Sequence, residues 1–254
     1  MTDALAVLTQ VVAGRSVAES LAEAVAAGSL RVLADGNWQR PNIDPTPSDW
    51  VRASRDASRH CRFYMGVMFN HVYRKQRVPV GCATCFKVKV VPKTLRELVA
   101  VRDLGEAMPY TYKCGLDESA PYSSGIYGAY FYLHGVEAAR AAYQAVRAAV
   151  NDHAKLGPGV TVFIKRGCTD YEMHCGPSDR YSFEPWQAEL EAALLSRIQL
   201  EPRPANDRKR VMATMTHWIK TAYRLGDDSY LDFTGGRRLY PAVVHYELPE
   251  KAQP

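Results

Sequence analysis

Val78-Pro79-Val80-Gly81-Cys82-Ala83-Thr84-Cys85-Phe86-Lys87-Val88-Lys89-Val90-Val91 places a Cys-x-x-Cys pair directly before a run in which Phe86, Val88 and Val90 alternate with Cys85, Lys87 and Lys89. Apolar residues recurring at every second position mark a strand with one buried face, here over residues 84–91, and Pro92 ends it. Next, Thr94-Leu95-Arg96-Glu97 reads as a capping box opening a helix that carries Leu95, Leu98, Val101 and Leu104 on one side. A short strand follows at 110–114, then a turn-rich stretch at 115–125 and a strongly aromatic strand at 126–133. Gly135 leads into a helix whose Ala139, Ala142, Val146 and Val150 share a face. Gly157-Pro158-Gly159 turns the chain into a last strand at 160–165, where Val160, Val162 and Ile164 alternate. Strand, helix, strand, strand, helix, strand is the order of a ferredoxin-like βαββαβ fold, so the expectation is an α+β protein with an antiparallel sheet and both helices on one face.

The flanks read as helical. Residues 1–77 form an N-terminal helical region: two short helices broken near Gly14 and Gly28, whose apolar face from Leu5 to Val25 needs a partner. Thr46-Pro47-Ser48-Asp49 looks like the start of a long helix running through Trp50 to about Lys75, with Cys61, Tyr64, Met65, Met68 and Val72 as a core-facing stripe. Residues 78–167 hold the ferredoxin-like core. Residues 168–254 form a C-terminal extension that packs on the core, helical near 186–198 and 207–225, with a closing strand expected at 242–246.

A chain of 254 residues with 47% hydrophobic content can bury a core without disulfide staples. The N-terminus has no Lys or Arg before its short apolar run, and no stretch nears the roughly 20 apolar residues that span a bilayer. The expectation is a cytoplasmic protein with no membrane partner. In a reducing compartment the six cysteines read as metal ligands, redox thiols or small core residues. The net charge of +5 is dispersed, which fits a solvated surface better than a dedicated polyanion site.

The topology makes a geometric prediction about the cysteines. In a ferredoxin-like sheet the fourth strand lies beside the first and runs opposite to it. Cys82 and Cys85, at the start of the first strand, would then meet Cys168 and Cys175, which follow the fourth in RGCTDYEMHCGPSD. A Cys-x-x-Cys turn presents two sulfurs to one ion, with Gly81 expected to supply backbone freedom. The Cys-x6-Cys half is loose for a zinc knuckle and easier for an iron–sulfur cluster, so a 4Fe-4S cluster on Cys82, Cys85, Cys168 and Cys175 is the first reading and zinc the second. Cys114 is the second choice as a ligand, and His174 or His60 could stand in for a thiolate. A redox dithiol would want its first Cys at a helix N-terminus, and here a strand follows.

No phosphate-binding Gly-x4-Gly-Lys loop, dinucleotide fingerprint or His-Glu-x-x-His motif is present. Asp170, Glu172, Lys165 and Arg166 beside the cysteines suit acid–base or anion-binding work or an ordinary solvated surface. The functional expectation is a metal-binding protein used in electron transfer, or as the redox site of an enzyme complex, with a redox partner protein. The alternative is a zinc-stabilised binder of RNA or other single-stranded nucleic acid. It would use Lys87, Lys89, Tyr130, Tyr132, Thr161 and Phe163 on the open sheet face, although no RNP-type motif is present.

Overall fold

The computed structural model describes residues 4–42, 47–56, 60–117, 125–202 and 207–240. Its main sheet has five strands: β1 (Trp50–Ala53), β2 (Cys85–Val91), β3 (Thr111–Leu116), β4 (Tyr127–His134) and β5 (Thr161–Arg166). They lie in the order β1-β3-β4-β2-β5, and every neighbouring pair is antiparallel. The chain is thus an α+β protein. β2 sits between β4 and β5, with Phe86 opposite Leu133 on one side and Arg166 on the other.

Besides a short helix at Ala4–Thr9 and the segment 61–72, the helices among the described residues are α1 (Val17–Ala26), α2 (Leu95–Ala107), α3 (Val136–Asp152), α4 (Thr169–Cys175), α5 (Pro185–Leu195) and α6 (Arg208–Arg224). The Thr94 side chain caps α2 by accepting from Glu97 N–H, while the Glu97 carboxylate receives the N–H of Lys93. α2, α3 and α6 cover one sheet face. Leu95, Leu98, Ala139, Ala142, Val146 and Trp218 bury there against Val88, Val90, Tyr112 and Phe131.

The long helix expected from Trp50 to Lys75 is not formed as one element. Trp50–Ala53 is instead the edge strand β1, and the helix begins only at Cys61. Pairing with β3 buries Val51 to 2% exposure, and the Asp49 carbonyl accepts from Leu116 N–H and Trp218 Nε1–H. Tertiary pairing overrides the local helix-start signal. Thr46, the expected cap, and the closing strand at 242–246 lie outside the described residues.

The helical segment 61–72 is wound in wide turns over Tyr64–Val72, with Tyr73 N–H reaching back five residues to the Met68 carbonyl at 2.6 Å. Such winding is uncommon and recurs at functional sites. The expected core-facing stripe divides between two cores. Met68 and Val72 join Val17, Leu21 and Leu194 in a second core, which gives the N-terminal helices their partner. Tyr64, Met65 and Phe69 join a third cluster, around the cysteines. A small sheet joins segments far apart in sequence, with strand Ile198–Leu200 running parallel to Trp38–Arg40. Among the described residues no helix is long and apolar enough to cross a membrane.

Candidate functional site

The antiparallel β2–β5 pairing brings the start of one strand to the end of the other, and Gly167 N–H donates to the Cys85 carbonyl at 2.8 Å. Cys82 and Cys85 are 8% and 7% exposed there, in one apolar cluster with Phe69, Val78 and Tyr171. Cys168 and Cys175 pack at its margin with Tyr64, Met65, Tyr132, Tyr181 and Phe183. The four cysteines expected to converge therefore share a single cluster. Cys114 does not join it: fully buried under the helices in the main core, its thiol is pushed up by burial. His174 is exposed, near the Phe69 ring.

The Cys-x-x-Cys turn is held from three directions. Glu191 of α5, 4% exposed, accepts from Val80 N–H at 2.8 Å, Gly81 N–H at 2.9 Å and the Tyr73 hydroxyl at 2.8 Å. Arg166, at the end of β5, donates Nε–H and Nη2–H to the Ala83 carbonyl and Nη1–H to the Ser178 carbonyl. Its guanidinium lies among the Phe86, Tyr181 and Phe183 rings. The third contact is steric: a Cβ on Gly81 would overlap the Tyr64 ring. Gly81 is thus required for close approach rather than for an unusual backbone angle. The backbone N–H groups of Gly81 and Gly167 are both committed to oxygen acceptors, so neither donates to a sulfur.

The sulfurs have polar partners inside the cluster. Cys82 Sγ is 3.3 Å from the Tyr171 hydroxyl. Lys87 Nζ donates to Cys168 Sγ at 3.1 Å, with Lys87 only 5% exposed. Burial alone would lower the Lys87 ammonium, but the charge of Cys168, with Tyr132 and Cys85, outweighs it and holds the ammonium well above its usual range. Burial, then the charge of Cys168, pushes the Cys82 thiol up, and Cys85 and Cys61 add to it. Like-charged sulfurs resist joint ionisation, and a cation among them would reverse that resistance. Among the described residues no three His, Cys, Asp or Glu side chains stand tightly enough to form a closed metal shell as they are.

Cys61, which was not among the expected ligands, is exposed and stands outside the cysteine cluster. It opens the helical segment whose Tyr64, Met65 and Phe69 pack in or against that cluster. Of the charged residues beside the cysteines, Lys165 and Glu172 pair with each other, with Lys165 Nζ 2.6 Å from Glu172 Oε2 and 3.0 Å from Thr169 Oγ1.

The residues assigned to an open sheet face do lie opposite the main core, but the face is largely closed. Lys87, Lys89 and Tyr130 are 5%, 6% and 5% exposed, while Phe163 is 37% exposed. Three ammonium groups, from Lys87, Lys89 and Lys113, surround the Tyr130 ring at 5.8, 5.3 and 5.0 Å. Stacking bases on that ring would first require uncovering it. No family model, curated protein or solved structure matches this chain.

Proposed function

We propose that this protein is a cytosolic metal-binding protein whose clustered cysteines hold an iron–sulfur cluster of the 4Fe-4S type, used in electron transfer or as the redox site of an enzyme complex. The sheet is read as a ferredoxin-like βαββαβ core (β2, α2, β3, β4, α3, β5) extended at one edge by β1. One observation carries the reading: Cys82, Cys85 and Cys168 meet in a buried apolar cluster, with the Lys87 ammonium 3.1 Å from Cys168 Sγ. An apolar core has no need of an ammonium against a sulfur. A thiolate site does, because a buried anion must be paired.

The surrounding residues fit the chemistry. Thiolate ligation with a nearby N–H donor and aromatic shielding sets a cluster's potential through hydrogen bonding and burial. Lys87 supplies the donor, while Tyr132, Tyr171, Tyr181 and Phe183 limit water. Glu191, Arg166 and Tyr64 hold the Cys-x-x-Cys turn in place. When bound, the cluster would supply a one-electron redox centre, and the chain's own contribution is to place the thiolates and exclude solvent.

The test is anaerobic reconstitution with iron and sulfide, followed by dithionite reduction and electron paramagnetic resonance. Bleaching of broad visible absorption with a reduced-cluster signal supports the reading. A colourless protein holding one zinc would make the site structural and favour the zinc alternative.

A further inference from the structure

The sheet face opposite the main core gathers cations in a pattern set by strand register. One rung across the sheet holds Arg52, Lys113, Tyr130, Lys89 and Phe163 side by side, and the next holds Thr111, Tyr132, Lys87 and Lys165. Residues directly opposite one another share a face, so Arg52 meets Lys113 and Lys87 meets Lys165 as like charges, an arrangement that weakens a sheet. The common centre is Tyr130, whose ring has the ammonium groups of Lys87, Lys89 and Lys113 within 5.8 Å of its centroid.

Three of the four lysines have a polar partner. Lys87 donates to Cys168 Sγ, Lys165 pairs with Glu172, and Lys89 Nζ lies 3.9 Å from Asp117 Oδ2, an oxygen that also accepts from the Tyr130 hydroxyl. Lys113 differs. Among the described residues its ammonium meets the Trp50 ring at 3.7 Å and the Tyr130 ring at 5.0 Å, with no carboxylate in ion-pair contact and no hydrogen-bond acceptor. A ring face attracts an ammonium without neutralising it. Burial opposes the charged form of Lys113, and Lys87 and Arg52 oppose it further. Lys89 and Tyr130 are buried, whereas Arg52 and Lys113, on and beside the edge strand β1, are only partly so. The rung is therefore open to solvent at its β1 end.

From this placement we infer that Lys113 and Lys89 form a binding site for one phosphoryl oxyanion, entered from the β1 edge, with Arg52 and Lys87 adding to its positive field. The ligand is free phosphate or the phosphate ester of a small molecule. A phosphate monoester carries nearly two negative charges at pH 7 and accepts from several ammonium groups at once, which supplies Lys113 with the acceptor it lacks and relieves the like-charge contact with Arg52. The burial of Tyr130 and Lys89 suits a small anion rather than a polymer whose bases must reach the ring. This site is separate from the metal-site reading and does not depend on it.

Full-length wild type, Lys113→Met, Lys89→Met and Lys209→Met, the last an exposed residue of α6, are titrated by calorimetry at pH 7 and constant ionic strength. Inorganic phosphate and phenyl phosphate are the two probes, and circular dichroism checks folding. Lys89→Met leaves Asp117 without its lysine, whereas Lys113→Met removes no ion pair seen among the described residues, so it is the variant expected to stay folded. The expected result is saturable binding by wild type and Lys209→Met, weakened at least about ten-fold in Lys113→Met and Lys89→Met, the loss of one charge-assisted hydrogen bond. Tighter binding of phenyl phosphate supports the site and assigns it to an ester; equal or tighter binding of inorganic phosphate supports it and assigns the free ion. No saturable binding by wild type overturns the inference. So does undiminished affinity in folded Lys113→Met, which would mark general attraction to a basic protein, and so does a single-stranded oligonucleotide that binds more tightly than either probe.

Discussion

Replacing Glu191 with alanine removes three hydrogen bonds at one stroke. The carboxylate is 4% exposed and accepts from Val80 N–H, Gly81 N–H and the Tyr73 hydroxyl, all between 2.8 and 2.9 Å. Tyr73 is fully buried, so its orphaned hydroxyl bears a desolvation cost of about 1–3 kcal/mol. The two backbone donors are only partly enclosed, and water can reach them after truncation, which limits their loss to about 1 kcal/mol each. The sum is roughly 3–5 kcal/mol, near the upper end of single-substitution effects. For a chain of this size that lowers the melting temperature by roughly 6–20 °C. Glu191→Gln keeps one acceptor oxygen and should lose about half as much. Thermal and urea denaturation of both variants checks the order. Glu191→Ala within about 0.5 kcal/mol of wild type would refute the view that this carboxylate anchors the Cys-x-x-Cys turn.

Gly81→Ala should destabilise the fold by about 1–3 kcal/mol, because its methyl must displace the Tyr64 ring; a double-mutant cycle with Tyr64→Ala should then show coupling of at least about 0.5 kcal/mol by urea denaturation. Cys114→Ser places a hydroxyl in the fully buried main core and should cost about 1–3 kcal/mol in the same assay, while leaving metal content per chain unchanged. Burial, together with Lys87, pushes the Lys113 ammonium down to about 8, and the Trp50 and Tyr130 rings lie 3.7 and 5.0 Å from it. Between pH 8 and about 10.5 the unfolded chain binds more protons at this residue than the folded one, so stability should rise with pH by up to about 3 kcal/mol. Lys113→Met should abolish that rise and stabilise the protein at pH 7, as followed by urea denaturation across pH.

The parts of the fold legible in the sequence were those specified locally. The alternation of Phe86, Val88 and Val90, the cap at Thr94 and the face of Ala139, Ala142 and Val146 each report their surroundings over a few residues. The edge strand at Trp50 was not legible, because its partner at 111–116 lies some 60 residues away and Pro47 and Asp49 carry a competing helix signal. The convergence of Cys82, Cys85, Cys168 and Cys175 in one cluster followed from strand order. The role of Glu191 did not, since it looks like a solvated helix charge until α5 closes on the Cys-x-x-Cys turn. Lys87 and Lys89 showed the opposite failure. Their alternation gave the correct face, but period two alone cannot say whether the second face is covered.

The most direct test of the central claim is anaerobic purification of the wild-type protein, with iron, sulfide and zinc measured on one sample beside its ultraviolet–visible spectrum. The account predicts a brown protein with about four iron and four sulfide per chain. A colourless protein with neither iron nor zinc, before and after reconstitution, would contradict it and return the clustered cysteines to the hydrophobic core.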